Sequence, residues 1–156
     1  MGRKQFSVTH NDELTVRLMR GTDHRTLAMW AMDCAERVMP YFEEQYPADH
    51  RPRNAIEALQ VWISTGVFSL PDIRKAALAS HAAAREVGED NAARSAARAA
   101  GQAVATAHVA AHSIGAANYS LQAIYRATHS SGGDAAIARE RDWQYQHLLR
   151  LAEARK

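Results

Sequence analysis

The chain is poor in the residues that staple, span or catalyse. Of its 156 residues only Cys34 is a cysteine, so no internal disulfide is available and a reducing compartment suits it. Aromatic residues make up only 7%, and no stretch alternates β-branched residues between turns, which sets aside sandwiches and barrels. No apolar run approaches a membrane span, and Met1–Phe6 lacks the apolar stretch of a secretory leader. The net charge of +2 falls short of the large, clustered excess of a nucleic-acid binder. There is no glycine-rich phosphate loop, nucleophile elbow, Cys pair or HExxH. These absences make the cytoplasm the expected compartment. They leave no cofactor, no metal and no catalytic residue to assign, and they argue against membrane or nucleic acid as partner.

Alanine is what the chain has in abundance. The sequence is 47% hydrophobic and 23% charged, a globular balance, and much of the apolar share is Ala. Between Ala76 and Ala117 runs of Ala are interrupted by Arg85, Arg94, Arg98, Gln102, Thr106, His108 and His112, with scarcely a large apolar side chain. Ala is the strongest helix former and the smallest core residue, so such a segment encodes helices whose axes approach closely. The expectation is an all-α fold, a single-domain bundle of about six to seven helices with Ala-rich, close-packed central helices.

Local punctuation supplies the boundaries. Within an N-terminal arm, residues 1–22, Asn11 or Asp12 caps a short helix that ends at Gly21. Asp23 caps a second helix through about Met39, where Pro40 kinks or restarts it. A third helix opens at Asp49 and Pro52 and stops before Gly66; a fourth runs from Ser69 and Pro71 to Gly88. From Asp90 to Thr128 the apolar phase is unbroken, which reads as two nearly collinear helices with a bend around His112–Gly115. That completes a helical domain over residues 23–128. After the joint Ser131-Gly132-Gly133, Asp134 caps a last helix, residues 134–154, packed on the same domain.

Winding residues 92–112 at helical pitch puts Arg94, Arg98, Gln102, Thr106, His108 and His112 on one half of the wheel and Ala on the other. Such a half is either a solvated face, a recognition surface, or a polar network facing the second helix. His108 and His112 have the spacing that places two imidazoles on one helical face, as zinc requires, and His81 is the other imidazole of the region. Further ligands are not apparent, and histidines satisfied by hydrogen bonds are the ordinary case. The segment with Asp33, Glu36 and Arg37 is denser in polar groups than a plain core helix needs. Asp33 and Arg37 sit beside the apolar stripe of the second helix, where they can reach Arg85 or Arg98 and fix helix register. Cys34 lies within that stripe and reads as an inert buried thiol. The proline-stiffened linker presents Asp49, Arg51 and Arg53, whose guanidinium forks suit Glu43, Glu44 or a partner's carboxylates. Trp143 points away from the face that Ile137, Tyr145, Leu148 and Leu151 share.

Three functional classes fit these patterns. The first is a non-enzymatic binding protein whose contact residues are Arg51, Arg53, Arg94, Arg98 and Trp143, arginine and tryptophan being typical anchors of interfaces. The second is a helical metal-binding protein or hydrolase, with Asp33, Glu36, His81, His108 and His112 meeting in a cleft between helices. The third is a homo-oligomer joined through Trp143 and the Ala faces.

Several segments together resemble a known family. Trp30-Ala-Met-Asp33-Cys34-Ala-Glu36-Arg37, Phe42-Glu43 and Asp49-His-Arg51-Pro52-Arg53-Asn-Ala55-Ile56-Glu57-Ala58 are similar to the first block of small bacterial immunity proteins with an Imm-5-like domain. Ala82-Ala-Ala-Arg85, the run Ala96-Ala-Arg98 to Gly101-Gln102 and Thr106-Ala-His108, and Ala116-Ala-Asn-Tyr119 resemble its second block and end. The similarity spans roughly Asp23 to Tyr125. It implies a small cytoplasmic helical protein that protects its producer from a polymorphic toxin, and it transfers no catalytic residue. Joined to the binding class above, it gives neutralisation of that toxin by direct contact as the leading expectation.

Overall fold

The computed structural model describes residues 13–128 and 132–155. The expected cap at Asn11 or Asp12 and most of the N-terminal arm lie outside that range. Among the described residues there are eight helices and no strands: α1 (Glu13–Arg20), α2 (His24–Glu36), α3 (Met39–Glu43), α4 (Arg51–Thr65), α5 (Leu70–Glu86), α6 (Ala92–Ala105), α7 (His112–Thr128) and α8 (Gly133–Glu153). The number exceeds the expected six to seven because α3 stands as a separate helix. Pro40 sits in its first turn, where the missing N–H costs nothing, and so divides it from α2.

The caps follow from side-chain chemistry. Asp23 accepts from the Thr26 backbone N–H at 3.1 Å and from its hydroxyl at 2.7 Å, opening α2. The Asn91 side chain accepts from the Arg94 N–H at 3.0 Å and opens α6. Gly66 (φ +70) follows α4 and Gly88 (φ +82) follows α5, both in the left-handed region that side-chain-bearing residues avoid.

The connection from α6 to α7 differs from the sequence reading. The two helices are not collinear: α6 ends at Ala105, residues 106–111 turn, and α7 returns antiparallel along α6. The pairing is visible in Ser95 Oγ donating to Gln122 Oε1 at 2.9 Å near one end and His112 Nδ1 meeting Gln102 Oε1 at 2.9 Å near the other. The final turn of α6 tightens, with the N–H groups of Thr106, Ala107 and His108 reaching back three residues. His24 Nε2 donates to the Thr106 carbonyl at 2.5 Å, satisfying an acceptor that a continuing helix would have used. The unbroken apolar phase therefore reflects two Ala faces turned toward each other. His108 lies in the turn and His112 begins α7, so their spacing does not place them on one helix.

At the centre stands α6, with Ala93, Ser95, Ala96, Ala97, Ala99, Ala100, Gly101, Ala103 and Val104 all buried. It packs against α2, α3, α4, α5 and α7. Gly101 and Gly115 make the two closest approaches: a Cβ at Gly101 would lie 2.7 Å from His81 Nε2, and one at Gly115 2.7 Å from Gln102 Oε1. Bulk comes from the surrounding helices, through Trp30, Met39, Phe42, Ile56, Leu59 and Leu148. The last helix seals Trp30, whose Nε1 donates to the Gln144 carbonyl at 2.9 Å, while Gln144 Nε2 donates to the Ala117 carbonyl at 3.0 Å. No helix among the described residues is long and apolar enough to cross a membrane.

Candidate functional site

Most of the polar residues singled out in the sequence are held by one another. Arg51 closes on Asp49 through two hydrogen bonds of 2.9 and 2.7 Å and pairs with Glu86 at the end of α5. This bond to Arg51 holds the Asp49 carboxyl below its usual range. Arg53 ties α4 to its predecessors by donating to Glu43 at 3.1 and 2.6 Å and to Glu36 at 2.5 Å. Arg94 donates to Asp90 at 2.7 Å and to the Ala84 carbonyl at 3.1 Å. The linker arginines thus anchor carboxylates of the chain itself, Glu43 among them, and stand in internal pairs.

Asp33 and Arg37 do not reach Arg85 or Arg98. Both turn to α8 instead, where Asp33 Oδ2 lies 2.7 Å from His147 Nε2 and Arg37 donates to both oxygens of Glu140 at 2.6 and 2.8 Å. Glu140 is 6% exposed, and its bond raises the Arg37 guanidinium further above its usual range. Trp143 is half-buried between these pairs, with His147 stacked 4.7 Å away and the Arg37 guanidinium 3.8 Å over its ring. Beside them lies a cleft of about 450 Å³ lined by Arg37, Tyr41, Ile124, Thr128, Ala136, Arg139 and Glu140. Sequence reasoning missed Glu140, Gln144 and His147. The signal was present, since Glu140 and Gln144 recur with Ile137, Leu148 and Leu151 along the buried stripe of α8.

A second group remains open to solvent. On α5 the residues Leu78, His81 and Arg85 follow one another by a helical turn, and α6 runs antiparallel beside them. Ser80 donates to the Ala97 carbonyl at 2.7 Å, and the His81 ring lies over Gly101. This register sets Arg98 and Gln102 next to His81, and Gln102 reaches His112 at the start of α7. Arg85 and His112 are exposed, while His81, Arg98 and Gln102 are half-buried. Neither Arg85 nor Arg98 makes a hydrogen bond or ion pair among the described residues. Burial, then Arg98, Arg85 and His112, push the His81 imidazole below its ordinary range, and its Nδ1 is sealed without a partner. A neutral imidazole surrounded by cations, with no carboxylate beside it, is the electrostatic character of this face.

Of the residues of the proposed metal or hydrolytic cleft, His81 and His112 share this face and the other three lie elsewhere. Asp33 pairs with His147, Glu36 with Arg53, and His108 stacks on Phe68 with ring centroids 6.1 Å apart. Among the described residues no three His, Cys, Asp or Glu side chains converge as a donor set. Cys34 is fully buried, and burial, then Glu140 and Asp33, raise its thiol well above its usual range.

No curated protein and no solved structure matches the chain. A family model does, over residues 17–151, a wider span than Asp23–Tyr125 and one that takes in α8 as far as Leu151. That match covers nearly the whole of a helical protein whose chemistry-bearing side chains are mostly spent on internal pairs: the chain belongs to the family of Imm-5 like putative immunity proteins.

Proposed function

We propose that the protein is a non-enzymatic binding protein of the cytoplasm that neutralises a cognate bacterial toxin by direct contact. Membership of the immunity family carries this reading. The site geometry supports it, because among the described residues the Arg85 and Arg98 guanidinium groups are free for recognition, while Asp33, Glu36 and Glu140 are engaged by histidine or arginine. The competing reading, a helical metal-binding protein or hydrolase, needs Asp33, Glu36, His81, His108 and His112 to gather, whereas Asp33, Glu36 and His108 are engaged by His147, Arg53 and Phe68.

Co-expression tests it. The chain is produced in a bacterial host together with each toxin gene that adjoins its own gene. Growth restored by this protein, with the toxin co-purifying in a defined ratio, is the expected result. Stoichiometric metal in tag-free protein, lost in His108→Ala, would instead establish the competing reading.

A further inference from the structure

We infer that His81, Arg85, Arg98, Gln102 and His112 form a docking surface for an acidic segment of a protein partner, whose carboxylates pair with Arg85 and Arg98. The inference rests on the toxin-binding reading for the partner's identity, but the surface is argued from the chain itself.

Arginines are used in two ways in this chain. Arg37, Arg51, Arg53 and Arg94 each close on a carboxylate of this chain. Arg98 occupies an equally central place, half-buried on the helix that organises the core, yet has no acidic neighbour. Arg85 and Arg98 both act on His81, and Arg94 and Arg98 both act on Arg126, which burial lowers and Asp90, 3.9 Å away and shared with Arg94, raises. Asp90 answers that end of the group. Among the described residues none of the ion pairs reaches Arg85 or Arg98, so a ligand carboxylate there relieves repulsion among cations.

Shape and flanking chemistry also suit a protein partner. Ala82, one turn before Arg85, Ala105, one turn after Gln102, and Ala111, next to His112, are not buried, so small side chains flank the face and a partner backbone can come close. Leu78, one turn before His81, is 66% exposed and adds an apolar contact. Gly101 lets His81 lie flat on α6, and Gln102, braced by His112, offers a side-chain amide that can donate to a carboxylate. Arginine beside an exposed leucine and an amide is the mixture found at protein interfaces.

Nucleic acid fits less well. Glu86, Glu89 and Asp90 are exposed at one end of the face, which disfavours a polyanion charged along its whole length and leaves room for a short acidic segment that stops before them. The nearby rings are not free as stacking platforms, since Tyr119 packs on the core and Phe68 stacks on His108.

The test titrates the full chain with a fluorescent Glu-rich peptide carrying leucines, and separately with a single-stranded RNA of matched charge. Peptide binding is expected to weaken about tenfold in Arg85→Gln and in Arg98→Gln. Removing the same charge elsewhere, in Arg20→Gln and Arg150→Gln, should leave it unchanged. Amide shifts confined to α5, α6 and the start of α7 would support the surface independently of any variant, and Arg85, being exposed, gives a substitution that does not disturb packing. Equal loss in the control variants, or RNA bound more tightly than peptide, overturns the proposal. The co-expression assay separates the two readings. Protection unchanged in Arg85→Glu/Arg98→Glu removes the surface and leaves the immunity role. Peptide binding at the face without protection against any adjoining toxin removes the immunity role and leaves the surface.

Discussion

Arg37 and Glu140 are 103 residues apart in the chain and meet through two hydrogen bonds, with the guanidinium carbon 3.8 Å over the Trp143 ring. The carboxylate is the buried partner and the guanidinium is 43% exposed at its side chain, so the two do not contribute alike. Arg37→Ala leaves a buried negative charge with no counter-ion and is expected to lower stability by about 2 kcal/mol, discounted for the solvent that reaches the arginine. The double variant Arg37→Met/Glu140→Leu should recover part of that loss. Urea unfolding midpoints check both; an Arg37→Ala midpoint equal to the parent's would show that the pair contributes nothing.

The close approach at Gly101 makes a second test. Alanine there gains about 1 kcal/mol of helix propensity, but its Cβ would fall 2.7 Å from His81 Nε2, and displacing the ring is expected to cost about 1–3 kcal/mol. Gly101→Ala should therefore be neutral to destabilising in the parent and stabilising once His81 is replaced by Ala. Thermal unfolding of the four proteins reads the coupling. Additive effects would mean that the ring moves aside freely.

The His81 imidazole has its folded pKa held below the ordinary 6.5 by burial, Arg98, Arg85 and His112. The folded state thus binds fewer protons than the unfolded chain once the pH drops below that value. Stability present above pH 6.5 is lost as the pH falls through the depressed folded pKa. Replacing His81 by Gln should flatten the stability profile in that window. The losses below the ordinary 3.8 of Asp23 and Asp49 should remain, because both carboxyls are lowered by hydrogen bonds that His81 does not make. Denaturant midpoints across the pH range supply the comparison.

Cys34 should not react in the folded protein. It is fully buried and its thiol is raised by desolvation, so the thiolate that attacks an alkylating reagent is scarce and shielded. Mass spectrometry after iodoacetamide treatment is expected to find the thiol unmodified in native buffer and modified in guanidinium. Rapid modification of the native protein would mean that α2 opens away from α8.

The sequence displayed the helices more readily than their pairing. Asp23, Pro40, Gly66 and Gly88 act locally, through caps and missing donors, and their consequences stand where the residues stand. The reversal between α6 and α7 was hidden because alanines on two facing helices keep the same phase as alanines on one long helix. Partner choice among the arginines was hidden for a related reason. Arg53 met Glu43, ten residues away, as the linker's chemistry led one to expect. Arg37 found Glu140 and Asp33 found His147 only because α8 crosses α2, and no local spacing encodes that crossing. The open face was legible as composition, in Arg98 and Gln102 set among alanines, but its lack of counter-charge became apparent only with the carboxylates in place.

The six-residue turn between α6 and α7 bears on the order in which the molecule assembles. Closing so short a loop costs little chain entropy, so this hairpin can form before distant segments arrive. The bond from Trp30 to Gln144 spans 114 residues and must wait for nearly the whole chain. Substitutions at the hairpin's small residues should slow folding, whereas those beneath α8 should chiefly hasten unfolding. On this order the last helix is expected to fasten after the rest is built, which the folding and unfolding rates of such variants would read.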